Sequence, residues 1–341
     1  MSKNMNENRP ILSIIIVNYN SKDVLKDCLA SIINSHFPFS FEVYIIDNAS
    51  VESIEDVQQE YASYNYIINE DNYGFSFANN RGIMQSKGKY VLLLNPDTIL
   101  NDGSLQPMIA YLEQHDDVGI VGCKIFNPMG EIEHSTHSFP SLIKEFIHAN
   151  ELFKMLIGYN SKLGKRLGKS IKLKSLESYW EHDSTKEVDH VTGACMMVKR
   201  DVIDKSGPLD ESFFLYNEEV EWSYRIKKNG YRSIFLPDSY IVHLFGHSTK
   251  QQVQKQIVNK LLIERYRGMF YFFQKHYGFI KLFILRLIVI EGFSVRLAVY
   301  CAKLLNPIYD KTTVVKEIRL IINIIKLAFV KNYDWRVSVT A

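Results

Sequence analysis

The 341-residue sequence lacks the marks of several large function classes. Its apolar stretches are broken by charge: from Phe270 to Ala302, Lys281, Arg286, Glu291 and Arg296 recur about every five residues. No uncharged run reaches the roughly 18–20 residues that a membrane-crossing helix needs. Four cysteines, Cys28, Cys123, Cys195 and Cys301, stand far apart and form no CxxC pair. Neither a zinc cage nor a disulfide framework is indicated, and a reducing compartment fits best. Met1 to Pro10 is polar and lacks the apolar segment of a signal peptide, so export is not expected. No G-x-G-x-x-G follows the first apolar run, which removes the dinucleotide fingerprint. Gly168-Lys169-Ser170 suggests a phosphate loop, but that loop needs a glycine at 163, which is Leu163. Gly74-Phe75-Ser76-Phe77-Ala78 lacks the closing glycine of a nucleophile elbow, so a serine hydrolase is set aside. No internal repeat or low-complexity tract is present.

What is present is a chain that is 46% apolar, enough for one large or two ordinary domains. Forty Lys and Arg face 38 Asp and Glu, net +2, and this average conceals an asymmetry. Residues 251–341 carry 15 basic and 5 acidic side chains, net +10, whereas residues 1–250 carry 25 and 33, net −8. A basic, apolar tail on an acidic body points to an anionic surface. The tail's charges alternate with long apolar stretches instead of forming a polar basic face, which argues against nucleic acid.

Ile11 to Val17 reads as a buried strand, followed by Val24, Leu25, Cys28, Leu29, Ile32 and Ile33 at helical spacing up to the break at Pro38. Phe41 to Ile46 and Tyr66 to Ile68 read as strands opening into Asp47-Asn48-Ala49-Ser50 and Asn69-Glu70-Asp71-Asn72-Tyr73-Gly74. Ala78 to Ser86 reads as a short helix, and Tyr90 to Leu94 as a strand stopping at Asn95-Pro96-Asp97. This alternation predicts a mostly parallel α/β sheet flanked by helices, with ligands beyond the carboxyl ends of the strands. Residues 1–250 form the expected α/β domain, with a basic helical insertion or lid at about 145–186 carrying Lys154, Lys162, Lys165, Arg166, Lys169, Lys172 and Lys174. A second αβ portion begins at Val188 to Val198, and the pattern is helical from Val253, so 251–341 forms a helical extension.

Asp47, Asn72 and Asp97 fall at three strand ends in one predicted crevice. Each cluster alone is ordinary turn chemistry, but the three coincide. Asn95-Pro96-Asp97 carries one carboxylate from a buried strand onto a stiff turn, a way to aim a ligand at a hard cation such as Mg²⁺ or Mn²⁺; a plain strand exit reads the same way. Glu218, Glu219 and Glu221 place three carboxylates within four positions, beside Trp222 and Arg225. On a helix Glu218, Glu221 and Arg225 share a face while Glu219 points about 100° away. Acid enrichment of a helix first turn is the plainer explanation. His243 ends the apolar pair Ile241-Val242; with a carboxylate, a neutral imidazole suits a catalytic divalent ion, whereas alone it reads as a structural residue.

In order and spacing these segments resemble the inverting family 2 glycosyltransferases of the GT-A fold, and most closely their rhamnosyltransferase-like branch, over about residues 11–250. The resemblance implies that Asn18, Tyr19 and Asn20, after the first strand, lie against the nucleotide, and that Asp47 binds the pyrimidine or ribose. Asn72, Gly74, Phe75, Asn79 and Arg81 look like the segment beside the nucleotide. Asn95-Pro96-Asp97 stands at the DxD-type position, making Asp97 a metal ligand with Asn95 beside the donor. His243 matches the second metal ligand. Gly193 and Ala194 resemble the segment lining donor sugar and acceptor, and Trp222 and Arg225 match further positions of the acceptor segment. Glu218-Glu219 matches the Glu-Asp pair whose second member is the general base. Glu replaces Asp at that second position, so Glu219 is the expected base and Glu218 the fallback.

The resemblance implies transfer of a sugar, rhamnose from dTDP-rhamnose, with inversion and with Mg²⁺ or Mn²⁺, to a hydroxyl of a lipid-linked or growing cell-surface polysaccharide. A UDP-hexosyltransferase is the alternative, and a non-catalytic sugar-nucleotide-binding membrane scaffold is the alternative of another class. A nucleotidyltransferase ranks below these, because Asn18-Tyr19-Asn20-Ser21-Lys22 is not a glycine-rich loop. The expected location is cytoplasmic, peripheral on the inner membrane's cytoplasmic face through the basic amphipathic tail helices. Packing of those helices on the catalytic domain or in a homo-oligomer is the competing expectation.

Overall fold

The computed structural model describes residues 9–150, 182–244, 251–334 and 336. The described residues fall into two compact units, 9–139, 182–214 and 218–244 in one, and 140–150, 215–217 and 251–334 in the other. Most of the expected basic insertion, 151–181, lies outside the described residues.

The first unit opens with β1 (Leu12–Asn18), α1 (Lys22–Asn34), β2 (Phe41–Asp47), α2 (Glu55–Glu60), β3 (Asn65–Ile68), α3 (Phe75–Gln85) and β4 (Tyr90–Leu94), the alternation expected from the sequence. Strands β3, β2, β1 and β4 are neighbours and all parallel. All seven residues of β1 are buried, because the sheet is covered on both faces. Leu12, Ile14 and Ile16 point into one layer with Leu25, Cys28, Leu29 and Ile32 of α1. Ile15 and Val17 point into the other with Ala78 and Ile83 of α3. Each such isoleucine contributes about 1.5–3 kcal/mol by leaving water.

The remaining strands turn a half-sheet into a mixed one. After β5 (Thr98–Leu100), α4 (Gln106–Gln114), β6 (Val118–Phe126), β7 (Ile132–Glu133), β8 (Thr136–His137), α5 (Leu142–Ala149), β9 (Lys186–Val188) and β10 (His190–Val191) comes β11 (Cys195–Lys199). Strand β11 inserts antiparallel between β4 and β6. After α6 (Arg200–Ser206) and α7 (Glu218–Lys228), β12 (Arg232–His243) runs parallel to β6 and antiparallel to β5. The run expected from Val188 to Val198 is thus three short strands, interrupted at Thr192–Ala194 where the chain turns at the sheet edge.

The register puts one set of ends together. β1 and β2 finish side by side (Asn18↔Asp47), β4 finishes opposite the start of β11 (Leu94↔Cys195), and β12 finishes against β5 (His243↔Thr98). Asn18, Asp47, Asn95, Ala194 and His243 therefore share one edge of a single sheet.

In the second unit α8 (Gln251–His276), α9 (Gly278–Leu305) and α10 (Lys311–Leu327) follow. α9 packs against α5, α8 and α10, and Gly292 lies so close to Ala149 that a Cβ would sit 2.6 Å from its carbonyl oxygen. Asn150 Nδ2 donates to Glu291 Oε2 at 2.8 Å across the same contact. The 328–334 segment folds back: Tyr333 is buried, stacks on Phe270 and receives a hydrogen bond from Arg286 Nε at 3.1 Å. Among the described residues no helix is long and apolar enough to cross a membrane.

Candidate active site

At the ends of β1, β2 and β3 the polar side chains are wired to one another. Asn18 Nδ2 donates to Asp47 Oδ1 at 2.6 Å and to Ser50 Oγ at 3.1 Å, and Ser50 returns N–H and O–H bonds of 3.0 and 2.7 Å to the same carboxylate. Asp47 is buried, and Asn18 Nδ2, Ser50 N and Ser50 Oγ all donate to its carboxylate. A second network joins Asn69 Nδ2 to Asn48 Oδ1, Asn48 Nδ2 to Asn72 Oδ1 (both 2.8 Å), and Arg81 Nη1 to Asn69 Oδ1 (2.5 Å). Asn72 Oδ1 also accepts from Gly74 N at 3.0 Å. Asn48, Asn69 and Ser50 were missed as individual site residues by sequence reasoning. The signal was the unusual density of Asn after two successive strands. Tyr19 is half exposed at this edge, while the neighbouring Asn20 (φ 53°) and Ala49 (φ 61°) are left-handed.

Helix α3 begins at Phe75, three residues earlier than expected, for a reason visible in the backbone. Gly74 has φ +85°, and a Cβ there would stand 2.5 Å from Phe214 O, the atom that accepts the Phe75 N–H at 2.7 Å. Only glycine permits this approach. Asn79 is buried behind the turn, its Nδ2 donating to Phe75 O at 2.9 Å.

The turn from β4 to β5 presents Asp97. Asn95 N donates to Ala194 O at 3.0 Å, Thr98 Oγ1 closes onto Asn95 O at 2.7 Å, and Leu244 N donates to Asp97 O at 2.7 Å. Antiparallel pairing of β5 with β12 therefore sets His243 beside the carboxylate, with His243 Nε2 3.2 Å from Asp97 Oδ1. The other ring nitrogen, Nδ1, lies 3.1 Å from Glu133 Oε2 on β7. Burial lowers the imidazole's proton affinity, but Asp97 and Glu133 together outweigh it and leave the pKa raised from 6.5. A cavity of about 300 Å³ opens here, lined by Ile125, Glu133, His134, Thr192, Ala194 and His243. Sequence reasoning missed Glu133, which carries no motif signal and reaches the site only through a two-residue strand.

Helix α7 begins with the acid pair. Two consecutive left-handed residues, Tyr216 (φ 68°) and Asn217 (φ 70°), lead into Glu218. Glu218 is 4% exposed, and its Oε2 has no hydrogen-bond partner among the described residues. Burial first, and the charge of Glu219 second, push its pKa well above 4.5. Glu219 is less buried. A Cβ built on Gly193 would be 3.7 Å from Phe75 Cε1 and 4.0 Å from Glu219 Cβ, so Phe75, Gly193 and Glu219 meet at one spot. Trp222 and Arg225 face elsewhere. Trp222 is fully buried with Nε1 donating to Gly207 O at 2.8 Å. Arg225 pairs with Glu221 at 2.9 Å and donates to the carbonyls of Ser206 and Pro208. These contacts anchor α7 to the end of α6.

Residues 13–207 match the family described as Glycosyl transferase family 2. The chain belongs to that family. It is 30% identical over 224 residues to the low-salt glycan biosynthesis hexosyltransferase Agl10 of Haloferax volcanii, covering 64% of this chain and 62% of the relative. It is 26% identical over 252 residues to the N-acetylglucosaminyl-diphospho-decaprenol L-rhamnosyltransferase of Mycobacterium tuberculosis, covering 70% and 78%. The rhamnosyltransferase WbbL of Escherichia coli K12 is 24% identical over 251 residues, 71% of this chain and 86% of the relative. Among solved structures, the mannosyltransferase PcManGT of Pyrobaculum calidifontis, complexed with GDP-Man and Mn²⁺, superposes with a TM-score of 0.53 at 16% identity, over 97% of this chain and 89% of its own. The family 2 enzyme described here is therefore a glycosyltransferase of GT-A fold, with rhamnosyltransferases among its relatives.

Proposed function

We propose that this glycosyltransferase is a metal-dependent inverting enzyme that moves rhamnose from dTDP-rhamnose to a hydroxyl of a lipid-linked or growing polysaccharide. The observation that carries the reading is the shared sheet edge, with Asp97 against His243, together with the approach of Glu219 on α7 to Gly193 just before β11. The chemistry needs one group for the departing diphosphate and another for the acceptor proton, and the two together supply both kinds.

The residues present fit a divalent cation. Among the described residues no three His, Cys, Asp or Glu side chains form a complete cage. A carboxylate and an imidazole nitrogen 3.2 Å apart instead make an open donor pair, with room for phosphate oxygens as further ligands. Asp97 and His243 would hold the ion, and its chemistry is to offset charge growing on the nucleoside diphosphate. Asn18, Tyr19, Asn20, Asp47, Asn72, Gly74, Phe75, Asn79, Arg81 and Asn95 are assigned to the nucleotide and donor. Asp47 and Asn18 act as one rigid hydrogen-bonded floor, and Tyr19 offers an open ring for stacking. Gly193 and Ala194 keep the sugar pocket free of side-chain bulk.

Glu219 is the base. Its carboxylate takes the acceptor O–H proton while that oxygen bonds to the anomeric carbon from the face opposite the diphosphate, whose C–O bond breaks. Glu218 is buried and holds its proton more tightly than an ordinary carboxylic acid, which favours Glu219 over the fallback. Trp222 and Arg225 act through the placement of α7. UDP-hexose as donor is the second reading, favoured by the 30% identity to a hexosyltransferase.

For the acceptor, the name of the mycobacterial relative contains a diphospho-decaprenol saccharide, and α9 leaves Phe279 (75%), Ile280 (74%) and Leu287 (50%) exposed in a segment of net +10. Such a face suits an anionic leaflet, and we assign it to peripheral attachment on the cytoplasmic side of the inner membrane. Flotation of the full chain with anionic vesicles, but not neutral ones, is the expected result; a salt-insensitive dimer that fails to float assigns the face to a second copy.

The deciding experiment offers dTDP-rhamnose, UDP-hexoses and GDP-mannose with Mg²⁺ or Mn²⁺ and a lipid-linked acceptor, and records which nucleoside diphosphate is released. Release of dTDP alone supports the reading, and release of UDP alone supports the second. Asp97→Ala should lose nucleotide binding that depends on the cation; retention refutes the metal role.

A further inference from the structure

We propose that Glu133 is a positioning residue for the metal site, fixing the tautomer of His243 by accepting its Nδ1 proton and so aiming the Nε2 lone pair at the cation. The inference rests on the reading of Asp97 and His243 as the metal pair. It adds a residue from a different part of the chain, 110 positions away.

The placement is built into the sheet. Strand β7 pairs with β6 so that Glu133 is opposite Ile125, and on the other flank of the same residue β12 pairs through Ile241. Two residues further along β12, on the same face, stands His243. Glu133 Oε2 reaches Nδ1 at 3.1 Å while Asp97 Oδ1 is 3.2 Å from Nε2, so the ring lies between two carboxylates, one at each nitrogen. Neutral imidazole has one N–H and one lone pair. A carboxylate at Nδ1 stabilises the tautomer with the proton there, leaving the Nε2 lone pair for a cation shared with Asp97. Glu133 also lines the cavity beside His243, so its carboxylate restrains ring rotation at the wall of the site.

Because the Glu133 side chain is about one-third exposed and β7 is only two residues long, replacing it should cost the fold little. The test measures Mn²⁺ binding to the full chain by electron paramagnetic resonance, with Mn²⁺ alone and with dTDP, UDP or GDP added. Thermal melting is run on the same samples. Glu133→Ala should weaken Mn²⁺ binding roughly 10–100-fold with an unchanged melting temperature. Glu133→Gln keeps an acceptor for the Nδ1 proton and should recover most of the affinity. Wild-type affinity in Glu133→Ala overturns the inference, and so does equal weakness of the Gln and Ala variants, which would make charge rather than tautomer the cause. Asp97→Ala separates the two levels: if it binds Mn²⁺ as the wild type does, the metal reading fails and takes Glu133 with it. If Asp97→Ala loses binding and Glu133→Ala does not, only the role of Glu133 fails.

Discussion

Glu218→Met should make the protein more stable, by an amount that grows with pH. The wild-type carboxyl is 4% exposed, and Oε2 has no partner among the described residues. An unpaired buried polar atom costs about 1–3 kcal/mol, which an unbranched apolar side chain of similar length removes at any pH. The second contribution is ionisation. Burial and then the Glu219 charge raise the folded pKa well above 4.5, so the folded state keeps a proton that the unfolded chain releases. Stability is therefore highest below the unfolded pKa and falls as pH rises toward the folded value. Methionine does not titrate, and the gap between variant and wild type should widen from pH 4 to pH 8. Urea unfolding at pH 4, 6 and 8 measures it, with the pH 4 gap near the 1–3 kcal/mol set by the orphan oxygen. A gap that stays constant, or a variant less stable than wild type at pH 8, refutes the picture of a protonated, unpaired acid beside Glu219.

Glu219→Gln should lower transfer by about 10²–10⁴-fold while cation-dependent nucleotide binding persists; wild-type turnover removes Glu219 from the mechanism. Gly74→Ala forces a Cβ to 2.5 Å from Phe214 O at φ +85°, and should cost at least about 1–3 kcal/mol in urea unfolding; a neutral effect would show that the α3 entry is not held as described. Ala49→Gly relieves a left-handed alanine (φ 61°) and should stabilise by about 1 kcal/mol; a loss of stability would mean the turn prefers a side chain.

The α/β half of the molecule was legible because buried parallel strands write continuous apolar runs, and Ile11–Val17, Phe41–Ile46 and Tyr90–Leu94 are three of them. Asp97 and His243 could be named from the resemblance, but their 3.2 Å approach is a product of β5 pairing with β12 through residues 141–145 positions apart, which no local pattern announces. Short strands fail for the same reason: β7 and β8 have two residues each, too few for any period, so Glu133 was invisible. Trp222 and Arg225 show the reverse failure. The resemblance placed both in the acceptor segment, yet at i and i+3 they share a helix face, and that face closes on Ser206–Pro208. Sequence spacing supplied the shared face but not its direction.

Left-handed backbone clusters at the ends of β1 and β2 and at the start of α7. Five described non-glycine residues have positive φ: Asn20, Ala49, His182, Tyr216 and Asn217. Four of these stand immediately after β1, after β2, or before Glu218, where the candidate nucleotide and base residues lie. Left-handed backbone at a residue with a Cβ costs about 1–2 kcal/mol, and neighbouring contacts must hold it there. For Asn20 and Asn217 they are visible: Asn20 N donates to Ser50 Oγ at 2.9 Å, Asn20 Oδ1 accepts from Val51 N at 2.8 Å, and Asn217 Nδ2 donates to Arg265 O at 3.0 Å. Holding Asn, Ala and Tyr there fixes the direction in which the chain leaves β1 and β2 and enters α7, and with it the positions of Tyr19 and Glu219.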